Sequence, residues 1–452
     1  MTFDDLNLNK NLSKALKDMG IVHPTSIQAK SFTTIMSGKD VVGIAQTGTG
    51  KTLAFLLPSL RMWKFAKDRF PQILIIVPTR ELVIQIKEEI DKLSAYTNFV
   101  TVPAYGGANI KGQIAEIELG CDAIVSTPGR LLDLCLKGAL KLKNIKRFIV
   151  DEVDEMLALG FLPQLKRVIE YLPVKRQNLL FSATMTHEVE AIIEDFFNSP
   201  VHIEAAPMGT PLENIDQSLF YVLNFNTKIN LLKHLISDKE QFSKVLIFTD
   251  TKKKADHVHE EILDIYEEET GVIHSNKSQN YRFNSVNKFS SGEYRLLIAT
   301  DIVARGIDVS EVSHVINFDI PESAENYIHR IGRTGRADKK GIAISFAKEQ
   351  ETESLAAIEK LMRYTIPIVE FPAEVIVNEE MIESELPKYK MKNIEVRRRD
   401  AAATSQGAFH EKKDKNKKVN NKVRYEDKMK LKYKKPKTRG AKKKNKKGKK
   451  IR

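Results

Sequence analysis

Two series of short, largely apolar runs constrain this 452-residue chain more than any other feature. The first comprises Val41-Val42-Gly43-Ile44, Ile73-Leu74-Ile75-Ile76-Val77, Ala123-Ile124-Val125, Phe148-Ile149-Val150 and Asn178-Leu179-Leu180-Phe181. Between them lie helical patterns such as Glu81 to Leu93. Runs that are apolar at every position suit strands covered on both faces, and helical crossovers supply the cover. The prediction is an α/β fold built on a parallel sheet. The pattern stops around Ala206-Pro207-Met208-Gly209-Thr210-Pro211, a linker composition. It resumes with Lys244-Val245-Leu246-Ile247-Phe248, Gly271-Val272-Ile273-His274, Arg295-Leu296-Leu297-Ile298-Ala299, His314-Val315-Ile316-Asn317-Phe318 and Ile342-Ala343-Ile344-Ser345-Phe346. The expected organisation is a first domain over 1–206, a linker over 207–214 and a second α/β domain over 215–370. An accessory segment of mixed composition, 371–410, and a tail, 411–452, complete it.

Charge separates the tail from the rest. Residues 411–452 hold 22 Lys/Arg and 4 Asp/Glu, a net of +18, against +13 for the whole chain; residues 1–410 therefore carry −5. With almost no apolar residues, the tail is expected to be a disordered arm drawn to polyanions, nucleic acid first among them. No apolar run approaches a membrane span, and Met1-Thr2-Phe3-Asp4-Asp5 lacks the order of a signal peptide. Two cysteines, Cys121 and Cys135, suit buried thiols in a reducing cytoplasm.

The stretch Ala45-Gln46-Thr47-Gly48-Thr49-Gly50-Lys51-Thr52 sits between an apolar run and a helical one. Its glycines let successive N–H groups and a helix N-terminus face one concavity, which suits polyphosphate. Lys51 can reach the β/γ-phosphates and the Thr52 hydroxyl can ligate Mg²⁺. The first position is Ala45 where the usual pattern has glycine, so alone the stretch also reads as a tight turn. Asp151-Glu152, ending a second apolar run, is the acidic pair a nucleoside triphosphatase needs. Further polar clusters follow other runs: Pro78-Thr79-Arg80-Glu81-Leu82, Ser126-Thr127-Pro128-Gly129-Arg130, Ser182-Ala183-Thr184 and Thr300-Asp301-Ile302-Val303-Ala304-Arg305-Gly306-Ile307-Asp308. Strand ends are where α/β folds bind ligands.

These clusters, with His329-Arg330-Ile331-Gly332-Arg333-Thr334-Gly335-Arg336, closely resemble in order and spacing the DEAD-box family of superfamily 2 ATP-dependent RNA helicases. The resemblance runs from Phe3 to about Phe346. It implies two tandem RecA-like domains, ATP and Mg²⁺ as cofactors, RNA as partner, and a core that works as a monomer. It also implies roles. Gln28, with Thr25 in Gly20-Ile21-Val22-His23-Pro24-Thr25-Ser26-Ile27-Gln28, would read adenine, because an amide both donates and accepts. Phe3 would stack on the base, and Ala45 to Thr52 would cradle the phosphates. Asp151 would hold Mg²⁺ through water and Glu152 would orient and deprotonate the attacking water.

Asp154 would couple that segment to Ser182 and Thr184. Val153 stands where the family has Ala; on an extended segment its side chain would point away, changing packing only. Arg333 and Arg336 resemble arginine fingers, which stabilise charge in the transition state, and Asp308 would reach the ribose. RNA-backbone contacts would come from Thr79, Arg80, Gly106, Gly107, Thr127 and Arg130 in the first domain. Gln279, Arg282, Thr300, Arg305 and Gly306 would supply them in the second, fixing a strand without reading its sequence. Ser275 and Asn276 depart from the glycine and acid of many relatives.

The implied act is local, non-processive strand separation by a clamp that closes on ATP and RNA together. A DNA helicase of the same superfamily and a non-catalytic RNA-binding scaffold are the alternatives. The intact Pro-Thr-Arg-Glu-Leu and Ser-Ala-Thr segments favour RNA over DNA, and intact Lys51, Glu152, Arg333 and Arg336 favour an enzyme over a scaffold. Ribosome assembly, mRNA decay and cold adaptation are not distinguished by sequence.

Overall fold

Each central strand of the first sheet sends alternate side chains into two different cores. Ile73 and Ile75 join one cluster and Leu74 and Ile76 the other; Leu179 and Phe181 face one side and Leu180 the opposite. The same division holds in the second sheet, where Val245 and Ile247 oppose Leu246 and Phe248. A strand with helices on both faces needs no polar position, which accounts for the largely apolar runs.

The computed structural model describes residues 1–45, 49–204, 214–301, 312–335, 340–382 and 385. The first sheet contains β1 (Val41–Ile44), β2 (Ile73–Ile76), β3 (Thr101–Ala104), β4 (Ala123–Ser126), β5 (Arg147–Val150), β6 (Gln177–Ser182) and β7 (Val201–Glu204). They are parallel throughout, in the order β3-β4-β2-β5-β6-β1-β7. The second sheet contains β8 (Ile215–Tyr221), β9 (Val245–Thr249), β10 (Thr270–Ile273), β11 (Leu296–Thr300), β12 (His314–Asn317) and β13 (Gly341–Ala347). Its order is β10-β11-β9-β12-β13-β8, again all parallel. These are the two tandem parallel-sheet domains that the sequence implied, and both lie within one unit, Met1–Leu386.

Three strands have no counterpart among the apolar runs. β3, β7 and β8 are edge strands with alternating or mixed burial, and β3 carries Pro103. An edge has one unpaired side, so proline and polar residues are tolerated there. The expected linker lies outside the described residues except for Asn214. So does the basic tail. The segment after 370 has a place the sequence did not indicate. Phe371, Val375 and Ile382 pack on the core of the second domain, and Asn378 O accepts from the Asn224 amide at 2.6 Å. Among the described residues no helix is long and apolar enough to cross a membrane.

Candidate active site

Strand order sorts the polar clusters into two groups along the C-terminal edge of the first sheet. β5, β6 and β1 are adjacent and lead into Asp151-Glu152, Ser182-Ala183-Thr184 and the glycine-rich loop. β3, β4 and β2 lead into Gly106-Gly107, Thr127 and Thr79-Arg80. The residues expected to hold phosphate and those expected to hold RNA thus occupy separate halves of one edge. In the second sheet Thr300 ends β11 and Gln279 follows the neighbouring β10, while Arg333 follows the helix after β12.

In the phosphate half, Gly50 begins the helix Lys51–Arg61 at φ 84°, a left-handed conformation that suits glycine. A Cβ there would meet Gln28 Nε2 at 2.2 Å. Gln28 is buried against this turn: its Nε2 donates to Gly50 O at 3.1 Å and its Oε1 accepts from Thr25 N at 2.9 Å. Thr25 Oγ1 donates to Thr49 O at 2.8 Å. Gln28 and Thr25 therefore brace the loop from behind. One Nε2 hydrogen and one Oε1 lone pair remain for a base edge. Phe3 is buried in the first-domain core, in a short 3₁₀ helix, Phe3–Leu6, whose backbone joins Val22 O at 3.3 Å. The phenyl ring anchors that helix and presents little free face for stacking. Gln46, Thr47 and Gly48 lie outside the described residues; Ala45 is tied to β6 through Ser182 O at 3.0 Å, and Thr52 is half-buried.

Lys51 is 7% exposed, and its Nζ has no hydrogen-bond partner among the described residues. A buried ammonium in that state is costly unless an anion meets it. Asp151 and Glu152 are buried nearby and crowd one another. Burial pushes the Asp151 carboxyl up to about 6, with Lys51 opposing the rise. Burial, Glu155 and Asp151 push Glu152 well above the carboxylate range, against Lys51 and Arg333. Glu152 Oε2 has no partner among the described residues. Crowded carboxyls and the Thr52 hydroxyl offer oxygens that suit Mg²⁺, and the orphan ammonium offers positive charge to the polyphosphate it would accompany. No group of three or more His, Cys, Asp or Glu among the described residues could hold a metal unaided, so phosphate oxygens and water would complete the shell.

Glu152 departs from the expectation of an extended segment. It sits at φ 52°, ψ 48° and starts the helix Val153–Ala158. A left-handed non-glycine residue is strained by about 1–2 kcal/mol and is held by its surroundings. Val153 is the first helical residue, fully buried in the core. Its side chain points inward because of helix geometry and not because of strand alternation. Asp154 then reaches Thr184: its Oδ2 accepts from Thr184 N at 3.0 Å and Oγ1 at 2.8 Å. Ser182 Oγ donates to Thr184 O at 2.7 Å. Burial raises the Asp154 carboxyl, but His329, Lys51 and the two hydroxyls bring it below its ordinary value.

From the second domain, Arg333 is buried and donates from Nε to His329 O at 3.3 Å; its charge acts on Glu152. Arg336, Asp308, Arg305 and Gly306 lie outside the described residues. Sequence reasoning assigned no role to His329, Glu155 or Arg330. His329 Nδ1 lies 3.0 Å from Glu155 Oε1 and its Nε2 lies 3.8 Å from Asp154 Oδ2, joining the two domains. Arg330 is paired with both oxygens of Asp301, at 2.6 and 2.8 Å, and donates to Asp319 O at 2.7 Å. It braces the second-domain edge from within. The available signal was a His and an Arg set between Ile328 and Ile331 on a helical segment.

In the other half, Thr79 caps the helix Arg80–Leu93, accepting from Leu82 N at 3.3 Å, and Thr127 stands at the N-terminus of Pro128–Leu136. Gly107 has φ 85°, and a Cβ on it would meet Arg80 Nη1 at 2.2 Å. Arg80 crosses to the second domain, donating to Gln279 Oε1 at 2.7 Å. Arg282 joins the same oxygen at 3.2 Å and pairs with Glu81 at 3.0 Å. Arg130 differs from the open phosphate contact expected of it. It is buried, hydrogen-bonds Gln113, and donates to Ala108 O at 3.0 Å, which props the glycine turn from behind. Thr300 is buried at the end of β11.

The chain matches the DEAD/DEAH box helicase family model over residues 25–192 and the helicase conserved C-terminal domain model over 227–338. It is 40% identical over 361 residues to the DEAD-box ATP-dependent RNA helicase CshA of Geobacillus kaustophilus, covering 79% of this chain and 76% of that protein. It is 36% identical over 372 residues to the ATP-dependent RNA helicase DbpA of Bacillus subtilis, covering 82% and 77%. Among solved structures, Saccharomyces cerevisiae Dbp5 bound to RNA and ADP BeF3 superimposes with a TM-score of 0.74 at 30% identity, covering 81% of this chain and 95% of that one. Mss116p bound to ssRNA and AMP-PNP gives 0.76 at 27% identity, covering 83% and 80%.

Proposed function

Because the chain belongs to the DEAD-box family and is an ATP-driven RNA helicase, we propose that its two domains act as a clamp that couples hydrolysis to local, non-processive unwinding of RNA. The observation that carries this reading is the orphan Lys51 ammonium, buried beside Asp151 and Glu152, with Arg333 arriving from the other domain. Catalytic groups divided between two domains can act only when both meet.

Lys51 and the N–H groups of the loop bind the β- and γ-phosphates. Thr52 and Asp151 would hold Mg²⁺, which would supply positive charge to the phosphate oxygens. Glu152 orients the attacking water and takes its proton. Arg333, with Arg336, meets the charge that develops on the transferred group. Gln28, Thr25 and Asp308 serve the nucleoside, while Phe3 anchors the segment that leads towards them from the first-domain core. Asp154, Ser182 and Thr184 tie the catalytic segment to β6. Thr79, Arg80, Gly106, Gly107 and Thr127 hold the RNA backbone together with Gln279, Arg282, Thr300, Arg305 and Gly306, while Arg130 shapes the turn.

The partner is RNA held without regard to sequence, in ribosomal or messenger ribonucleoprotein, and the core is a monomer. A cytoplasmic location is consistent with Cys121 and Cys135, both free and buried, whose thiols burial raises to about 12 and about 11. Phosphate release measured with RNA, with DNA of the same sequence and with neither tests the proposal. Stimulation by RNA alone supports it; equal stimulation by DNA, or none by either, rejects it.

A further inference from the structure

The strand-end clusters of the first domain lie along the C-terminal edge of the first sheet. The opposite edge, where strands begin, has a distinct character. Residues 61–72 enter β2, 137–147 enter β5 and 173–177 enter β6, and these strands are neighbours in the order β2-β5-β6. The three connections are therefore adjacent, and hydrogen bonds lock them together. Lys146 N donates to Gln72 O at 2.8 Å, Lys146 Nζ reaches Gln72 Oε1 at 2.8 Å, and Gln177 N donates to Lys146 O at 2.9 Å.

Together they carry eleven Lys/Arg residues, all but the buried Arg147 at least partly exposed, and one acid, Asp68, on a chain whose first 410 residues sum to −5. The surface is concave. A depression of about 320 Å³ is lined by Asp68, Phe70, Gln72, Lys143, Lys146 and Lys175. Beside it Phe65 is 62% exposed, with the Arg69 guanidinium 6.0 Å from its ring centre, and Lys143 Nζ lies 5.8 Å from that of Phe70.

Cations gathered within a Debye length repel one another unless an anion meets them. Regularly spaced phosphates do so, and an exposed ring flanked by cations offers a base something to stack on. We propose that this edge is a second RNA-binding surface. It takes the phosphate backbone of a single-stranded segment that flanks the segment in the cleft, with Phe65 stacking on a base. The proposal rests on the RNA helicase reading above. Strands of four to six residues at about 3.3 Å each place the two edges roughly 15–20 Å apart, which flanking RNA can cross. An acidic polypeptide would meet the lysines, but it would leave Phe65 without a purpose.

The test uses the full chain with Lys67→Glu, Lys143→Glu and Lys175→Glu combined, and Phe65→Ala separately; all four side chains are exposed. The probes are an oligonucleotide just long enough to saturate RNA-stimulated turnover and a hairpin with long single-stranded flanks. The triple variant should bind the flanked hairpin about tenfold more weakly. Its salt dependence should be shallower by roughly 2, at about 0.7 for each phosphate left unneutralised. Phe65→Ala should also weaken the flanked hairpin, about fivefold. Turnover and affinity with the short oligonucleotide should not change. Unaltered binding of the hairpin, or equal losses on both probes, would overturn the proposal. Loss of binding to polyglutamate with RNA binding intact would make this an acidic-protein surface and would also overturn it. Wild-type turnover that no RNA stimulates would overturn the helicase reading itself, and that failure is visible without any variant.

Discussion

His329 in the second domain places its Nδ1 3.0 Å from Glu155 Oε1 in the first, one residue beyond the Asp154 carboxylate that holds Thr184. Through this contact the position of the second domain is felt by the segment that carries Asp151 and Glu152. A close polar contact between buried groups that contributes about 1.4 kcal/mol only on closure corresponds to roughly tenfold in rate. His329→Ala should therefore lower RNA-stimulated turnover about tenfold. ATP affinity without RNA should be retained, because the first-domain residues proposed to hold the nucleotide are untouched. Steady-state turnover and nucleotide titration check both; unchanged turnover would remove His329 from the coupling.

Gly107 offers a test of the RNA half. At φ 85°, with Arg80 Nη1 2.2 Å from where a Cβ would lie, Gly107→Ala introduces about 1–2 kcal/mol of backbone strain and displaces Arg80. The expected result is a higher RNA concentration for half-maximal ATPase, by about tenfold, with ATP affinity unchanged. A shift confined to ATP would assign the turn to the nucleotide half.

His314 predicts sensitivity to acid. It is buried, stacked on Phe242 at 4.1 Å, and burial depresses its pKa from 6.5 to about 4. The unfolded chain binds this proton more readily than the folded one, so the stability is present above pH 6.5. It is lost progressively as pH falls from there towards 4. The melting temperature should decline over that window, and His314→Gln should make the decline shallower. Equal slopes for wild type and variant would show that other groups dominate.

The tail supplies a prediction from composition. Deleting 411–452 removes 22 basic groups. RNA affinity should fall and its salt dependence flatten, by about 0.7 in slope for each phosphate the tail no longer neutralises, equally for unrelated sequences. Turnover at saturating RNA should persist. Filter binding at several salt concentrations decides the matter; a loss restricted to one RNA would mean that the tail reads a specific target.

Much of this organisation was legible because buried parallel strands have no polar face. Runs such as Ile73 to Val77 declare themselves, and the clusters after them fall where the fold binds ligands. The edge strands β3, β7 and β8 were not legible, since β8 alternates and β3 contains Pro103, whereas β10, an edge strand buried at every position, was. The left-handed turn at Glu152 was also hidden, because no local residue preference announces φ 52° at a glutamate. Contacts between distant segments, His329 with Glu155 and Arg80 with Gln279, depend on how the two domains meet. Linear spacing carries no record of that. The docking of Phe371 and Val375 was likewise invisible, because isolated apolar residues in a mixed segment have no period.

Water activation by Glu152 in a site completed by the other domain is tested by Glu152→Gln, measured for ATP binding, RNA binding and phosphate release on the same preparation. Binding of both ligands should be retained, and RNA-stimulated phosphate release should fall by about 10²-fold or more. Near-normal RNA-stimulated release from the variant would contradict the account.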